Sequence, residues 1–103
     1  MSTQKQPSDH QLLYELLASL NTTEDIALLL SDLCTVKEID QMDQRIRSAK
    51  LLMDGKTYNQ VCDETGISTV TLSRVSRALQ YGSGGYSRLL RNFIDTQPKD
   101  ESQ

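Results

Sequence analysis

Long apolar runs and large aromatic side chains are both scarce in this chain of 103 residues, which has one Phe and no Trp. The longest apolar run, IALLL at 26–30, is far short of the roughly 20 residues that a membrane-spanning helix needs. The N-terminus also lacks the basic-then-apolar pattern of a secretory signal sequence. These absences argue against a membrane partner and predict a cytoplasmic protein. The low aromatic content is also unusual for a sheet protein.

Residues that bind metals or carry redox and catalytic chemistry are equally few. Cys34 and Cys62 do not have the spacing of a metal or redox motif, and the single histidine, His10, lies in a polar terminal segment. The GSGG stretch at 82–85 lacks the Lys-Ser/Thr that follows in a phosphate-binding loop. We therefore expect no metal, no cofactor and no enzymatic activity. Cys62 is predicted to pack as a small hydrophobic residue.

Acidic charge is in excess overall, but it is unevenly distributed. The net charge is −3, and residues 1–67 contain eleven acids against six bases. Residues 68–94 instead contain no acid and four arginines, Arg74, Arg77, Arg88 and Arg91. A local basic face concentrates near phosphate whatever the sign of the total charge, so the acidic balance does not exclude nucleic acid. Taken alone, the four arginines also fit a solvated helix face.

Leucine is abundant, with fifteen residues, and the spacing of the apolar side chains predicts an all-α fold. Apolar residues recur every three or four positions, and each run is bounded by residues typical of helix caps or stops. Six helices are predicted, over residues 9–20, 23–33, 36–54, 58–65, 69–79 and 86–95.

The six predicted helices fit one small domain, residues 9–96. The polar segments at 1–8 and 97–103 are predicted to be disordered tails. The stretch YGSGG at 81–85 is predicted to be a flexible hinge, because three glycines in five residues do not hold a helix.

The first two helices carry more apolar surface than a small chain readily covers. Their stripes comprise Leu12, Leu13, Leu16, Leu17 and Leu20 on the first helix and Ile26, Leu29, Leu30 and Leu33 on the second. Such a surface favours a homodimer in which these helices pack against a second subunit. A tight monomeric bundle is the alternative.

Residues 57–79 have the pattern of a helix-turn-helix. Cys62 is a small residue inside the first helix of the pair, and Gly66, four positions later, can adopt the positive φ that the turn needs. Thr57 and Ser68 are placed to cap the two helices. The apolar residues that would anchor the second helix are Ile67, Leu72, Val75 and Leu79.

The predicted second helix of this pair has an unusual outer face. On a helical wheel, Leu72, Val75 and Leu79 cluster on one side, and Val70, Ser73, Arg74 and Arg77 lie opposite. A solvent-facing valine beside two arginines suits a recognition helix better than a structural surface. Methyl groups can contact thymine, hydroxyls can bond base edges or phosphates, and arginine can bind guanine or phosphate.

The stretches GKTYNQV, ETGISTVTLSRVSRAL and YGSGGY resemble the Trp repressor superfamily, and within it the Trp-repressor-related YerC/YecD-type branch. The resemblance covers about half of the chain with specific motifs and most of the rest by helix order. It implies a six-helix, intertwined homodimer with one helix-turn-helix per subunit. It also implies transcriptional repression through double-stranded DNA.

The resemblance also implies which residues contact DNA. Thr69, Val70, Thr71 and Ser73 correspond to base-facing positions, although the wheel places Thr69 and Thr71 on the flanks. Arg74 could contact DNA, bind an anion or do neither. Arg77 and Lys56 are candidate phosphate partners, and Gln60 and Asn59 could reach the DNA backbone from the first helix of the pair.

In the Trp repressor the amino acid is held by two arginines, with a threonine near the pocket. Arg45 and Arg74 match the two arginines here, which makes them a candidate effector pocket. Thr35 matches the threonine but is better explained as a helix cap. A glycine and a serine are expected where this chain has Val75 and Ala78. Both departures argue against tryptophan as the corepressor, and the sequence names no other effector.

The sequence therefore predicts a sequence-specific DNA-binding transcriptional regulator, a repressor by resemblance. Two alternatives remain open. The helix pair could be a protein-interaction module, which the acidic first two-thirds of the chain would suit, or a DNA binder of low specificity with an architectural role.

Overall fold

The computed structural model describes residues 9–98. Within them the chain forms helices and no strand: α1 (Gln11–Ala18), α2 (Thr23–Leu33), α3 (Val36–Met53), α4 (Tyr58–Thr65), α5 (Thr69–Tyr81) and α6 (Arg91–Thr96). A π-helical turn, Gly85–Leu90, runs directly into α6. The six-helix, all-α prediction is confirmed. The tails predicted at 1–8 and 97–103 lie outside the described residues, apart from Gln97 and Pro98.

Helices α3 and α4 begin where their cap residues predict, whereas α1, predicted over residues 9–20, spans only Gln11–Ala18 and has no side-chain cap. The amide of Thr35 donates to Oε1 of Glu38 at 2.8 Å, and the amide of Glu38 donates to Oγ1 of Thr35 at 3.1 Å. Thr57 and Gln60 form the same reciprocal pair at the start of α4. Each pair satisfies two backbone groups that a helix start leaves without a partner.

The break between α5 and the π-helical turn is shorter than the hinge predicted over residues 81–85. The helix predicted to end at residue 79 continues to Tyr81, and Gly85 already belongs to the π-helical turn. Only Gly82, Ser83 and Gly84 lie between the two helical segments, and Gly84 has a φ of +110°. The turn begins where the amide of Leu89 donates to the carbonyl of Gly84, five residues earlier.

The chain divides into two compact units, and the boundary between them in the sequence falls within α3, between Ile39 and Asp40. The first contains α1 and α2, and neither of these helices has a buried residue. The second contains the hydrophobic core, formed by Ala49, Val61, Ile67, Leu72 and Val75. Half-buried Cys62, Tyr86 and Leu90 pack against this core. The core thus lies directly beneath α4 and α5.

Gly82 and Gly85 form a matched pair for testing the loop. A Cβ atom at Gly82 would clash with the backbone oxygen of Ala78, whereas one at Gly85 would meet nothing within 4 Å. We expect Gly82→Ala to lower the free energy of unfolding by about 1–3 kcal/mol. Gly85→Ala should raise it by about 0.4–1 kcal/mol through the unfolded state. Urea denaturation measures both, and equal effects would contradict the geometry.

Candidate nucleic-acid interface

The turn between α4 and α5 is short and fixed at both ends. Gly66 ends α4 with a φ of +77°, in the left-handed region that glycine enters without strain. Ile67 follows and is buried, and Ser68 caps α5 by accepting a hydrogen bond from the amide of Thr71 at 3.1 Å. The two helices are therefore joined by a turn whose middle residue is held in the core.

A hydrogen-bond network ties this turn to α3. Nε2 of Gln44 donates to the carbonyl of Thr65 at 2.9 Å, and Oγ of Ser48, fully buried, donates to Oγ1 of Thr65 at 3.3 Å. Oγ1 of Thr65 in turn donates to the carbonyl of Val61 and accepts the amide of Ile67. Buried hydroxyl groups are costly unless they are paired, so this network fixes the angle at which α5 leaves the turn.

No motif or spacing in the sequence distinguishes Gln44, Ser48 and Thr65 from other polar residues. A serine and a glutamine on a long helix, and a threonine ahead of a glycine, are ordinary residues at ordinary positions. Their common function depends on contacts between residues 17 and 21 positions apart.

The outer face of α5 has the composition that its periodicity predicts. Leu72 and Val75 are buried on the inner side, and Leu79 is half-buried. Val70 is 70 % exposed, and Ser73, Arg74 and Arg77 are exposed with it. Thr69 is also exposed, whereas Thr71 is half-buried. The proposed base-facing residues therefore differ in how much of each side chain is open to a ligand.

The two arginines on this face have no acidic partner within the described part of the chain. The ion pairs found there, Arg47 with Asp43 and Lys50 with Asp54, involve residues of α3 and the residue that follows it. Arg74 and Arg77 are therefore free to meet an external anion, as phosphate recognition requires.

Lys56 and Gln60, which are proposed to contact DNA near the start of α4, differ in how free their side chains are. Lys56 is exposed in the short link between α3 and α4. Gln60 is exposed, but its Oε1 already accepts the amide of Thr57 at 2.8 Å. Only the amide Nε2 of Gln60 remains free to donate to a phosphate, so its first role is to cap α4.

A cavity of about 500 Å³ opens beside the outer face of α5. Arg45, from α3, and Arg74, from α5, both line it, as the resemblance to a ligand-binding repressor implies. Its remaining lining residues are Val70, Thr71, Val75, Ala78 and Tyr86. Tyr86 comes from the π-helical turn, and sequence reasoning did not connect it with the two arginines, since the contact depends on how that turn packs.

Two further features bear on function. Within residues 9–98 no helix is both long enough and apolar enough to cross a membrane. In the same stretch no group of three or more His, Cys, Asp or Glu side chains is placed to hold a metal ion. Cys34 and Cys62 are free thiols, each half-buried.

An all-α chain with a capped helix pair, a tight glycine turn and a basic outer face on the second helix belongs to the helix-turn-helix class. The sequence model of the family described as Trp repressor protein matches residues 8–94. The uncharacterized protein YerC of Bacillus subtilis (strain 168) is 37 % identical over 91 residues, which are 88 % of each chain. The chain belongs to the Trp repressor family, in its YerC-type part.

Two crystal structures share the fold. A Staphylococcus aureus protein provisionally assigned as a Trp repressor is 33 % identical, with a TM-score of 0.80, over 89 % of this chain and 91 % of its own. A TrpR-like protein from Eubacterium eligens ATCC 27750 is 34 % identical, also with a TM-score of 0.80, over 89 % and 94 %. The family and these neighbours favour a DNA-binding regulator, a class that is in general not enzymatic.

Proposed function

We propose that this protein is a sequence-specific transcriptional regulator, a repressor, that binds double-stranded DNA as a homodimer through α4 and α5. The observation that carries the proposal is the exposed face of α5, where Val70 stands beside two arginines that form no ion pair with an acid within residues 9–98. Apolar and basic groups together suit a major groove, which offers both methyl groups and phosphates.

The homodimer is supported by the first unit. Leu12 is 80 % exposed, and Leu28 and Leu33 are also more than half exposed in the single chain. Two helices without a buried residue do not hold their fold by their own packing, because most helical stability comes from a covered apolar face. A second subunit related by a two-fold axis would cover the same face on both chains.

Selection of binding sites from random DNA tests the proposal directly. A dimer with two recognition helices should return one palindromic site whose half-sites lie one helical turn apart, about 34–36 Å. An architectural DNA binder would bind without enriching one sequence. A protein-interaction module would leave the DNA pool unchanged, and this outcome would rule out the proposed function.

Affinity for the selected site should depend strongly on salt. If each subunit neutralises about three phosphates, log K should fall with log salt with a slope of roughly −5, because each contact releases condensed counterions. Fluorescence anisotropy between 50 and 200 mM salt gives this slope, and a slope near zero would contradict phosphate contacts by Arg74, Arg77 and Lys56.

The cavity between Arg45 and Arg74 supports a second role, the binding of an anionic effector. Tryptophan is disfavoured as that effector, because the side chains of Val75 and Ala78 line the cavity. Val75 fills space where the resemblance requires a glycine, and Ala78 offers no hydroxyl. We expect calorimetric titration with tryptophan at millimolar concentration to give no binding heat, and saturable binding would overturn this assignment.

A further inference from the structure

The hydroxyl groups of Ser68 and Thr71, at the start of α5, already form hydrogen bonds within the protein. Oγ of Ser68 accepts the amide of Thr71 and also donates to Oγ1 of Thr71 at 3.0 Å. These bonds hold the first turn of α5 together. Of the small polar side chains near this end of the helix, only Thr69 and Ser73 are exposed and have no side-chain hydrogen bond within the described residues.

Short hydroxyl side chains discriminate poorly between bases. A serine or threonine hydroxyl rotates and both donates and accepts, so it can pair with several base edges. Thr69 and Ser73 therefore add affinity without strongly selecting one base pair. A selective contact needs a side chain with fewer options.

Val70 is such a side chain. It is 70 % exposed, and in a helix its β-branched side chain is confined to essentially one rotamer. Its two methyl groups therefore project from α5 in a fixed direction. On the helix surface Val70 neighbours Ser73 and Arg74, three and four positions on, so it lies next to groups suited to phosphate and not at the edge of the face.

Only one base presents an apolar group in the major groove of ordinary DNA, namely thymine, through its C5 methyl. We infer that the sequence preference of this protein is centred on that methyl group, contacted by Val70 once in each half-site. The inference rests on the proposed DNA-binding function and names what α5 recognises. The arginines beside Val70 then supply mainly phosphate contacts, which position the helix without specifying the base.

Replacing thymine with uracil in the selected site tests the inference, because uracil lacks only the C5 methyl group. Burying one methyl is worth about a factor of four in an equilibrium constant. We expect uracil in one half-site to weaken binding about fourfold, and uracil in both half-sites about sixteenfold, if the two half-sites contribute independently. At the same position, 5-methylcytosine should bind about fourfold more tightly than cytosine.

Variants of Val70 assign the effect to this side chain. Val70→Ala removes both Cγ methyl groups and should show a much smaller difference between thymine and uracil sites, and Val70→Thr, which keeps the shape but replaces one methyl with a hydroxyl, should fall between Val70→Ala and the wild type. Val36→Ala is the matched control, since Val36 is a valine of α3 with 76 % exposure and is not part of the proposed interface. It should keep the full response to uracil.

The outcomes separate the two proposals. If no DNA site is selected, the DNA-binding function and this inference both fail. If a site is selected but a scan of every thymine is flat, the inference alone is overturned. It is also overturned if the uracil response persists at full size in Val70→Ala. It is likewise overturned if replacing guanine with 7-deazaguanine weakens binding more than uracil does, because an arginine–guanine contact would then dominate recognition.

Discussion

Val70→Glu is expected to lower affinity for the selected DNA site by at least about a hundredfold, since a like charge placed in a charged interface costs several kcal/mol. The substitution puts a carboxylate at the centre of a surface proposed to face phosphates. Val70 is exposed, so the subunit itself loses little packing and circular dichroism should show unchanged helicity. Anisotropy on the selected site measures the loss.

Val36→Glu is the matched control for this prediction. Both valines are exposed to a similar degree, 70 % and 76 %, and both substitutions add one negative charge to a helix. A simple change of net charge would affect the two variants equally. If Val36→Glu weakened binding as much as Val70→Glu, or if Val70→Glu bound normally, the outer face of α5 would not be the surface that contacts DNA.

Leu16→Glu is expected to shift the proposed homodimer to monomer, with a dimerisation constant at least about a hundredfold weaker. Leu16 lies in the apolar stripe of α1 and is 41 % exposed in the single chain. A two-fold axis would bring the substitution into the interface twice, so two charges would lose hydration together. Sedimentation velocity over a range of concentrations measures the change.

Ala18→Glu is the control on the same helix, since it lies about 200° from Leu16 around α1. It should leave the association state unchanged. For the wild type, the dimer also predicts that the melting temperature rises with protein concentration. A wild-type protein that sediments as a monomer and melts independently of concentration would contradict the homodimer, and the apolar faces of α1 and α2 would need another partner.

The parts of this fold that sequence could predict are those set by local spacing. Thr35 and Glu38 are three residues apart, so their reciprocal bonds follow from the start of one helix. The opposite faces of α5 also follow from one helical period, and so Val70 was correctly expected to be exposed and Leu72 and Val75 to be buried. No contact between helices was needed for either prediction.

The parts that could not be predicted depend on contacts between distant segments. The network around Thr65 brings together residues of three segments, and nothing in its sequence neighbourhood reveals it. The π-helical turn is a second example. The glycines predicted a break in the helix. They did not predict the π-helical turn after the break, which accompanies the packing of Tyr86 and Leu90 against the core. The position of Tyr86 in the cavity follows from that packing.

The position of the core has a kinetic consequence. Its apolar residues all fall within residues 49–75, so the contacts that stabilise α4 and α5 span short stretches of chain. Local contacts close quickly, because little loop entropy is lost before they form. In the proposed dimer, the recognition helix would thus fold as a unimolecular event, while α1 and α2 would wait for an encounter with a second chain. The rate of dimer assembly would then depend on the concentration of subunits, while each newly made subunit would already contain a folded pair of α4 and α5.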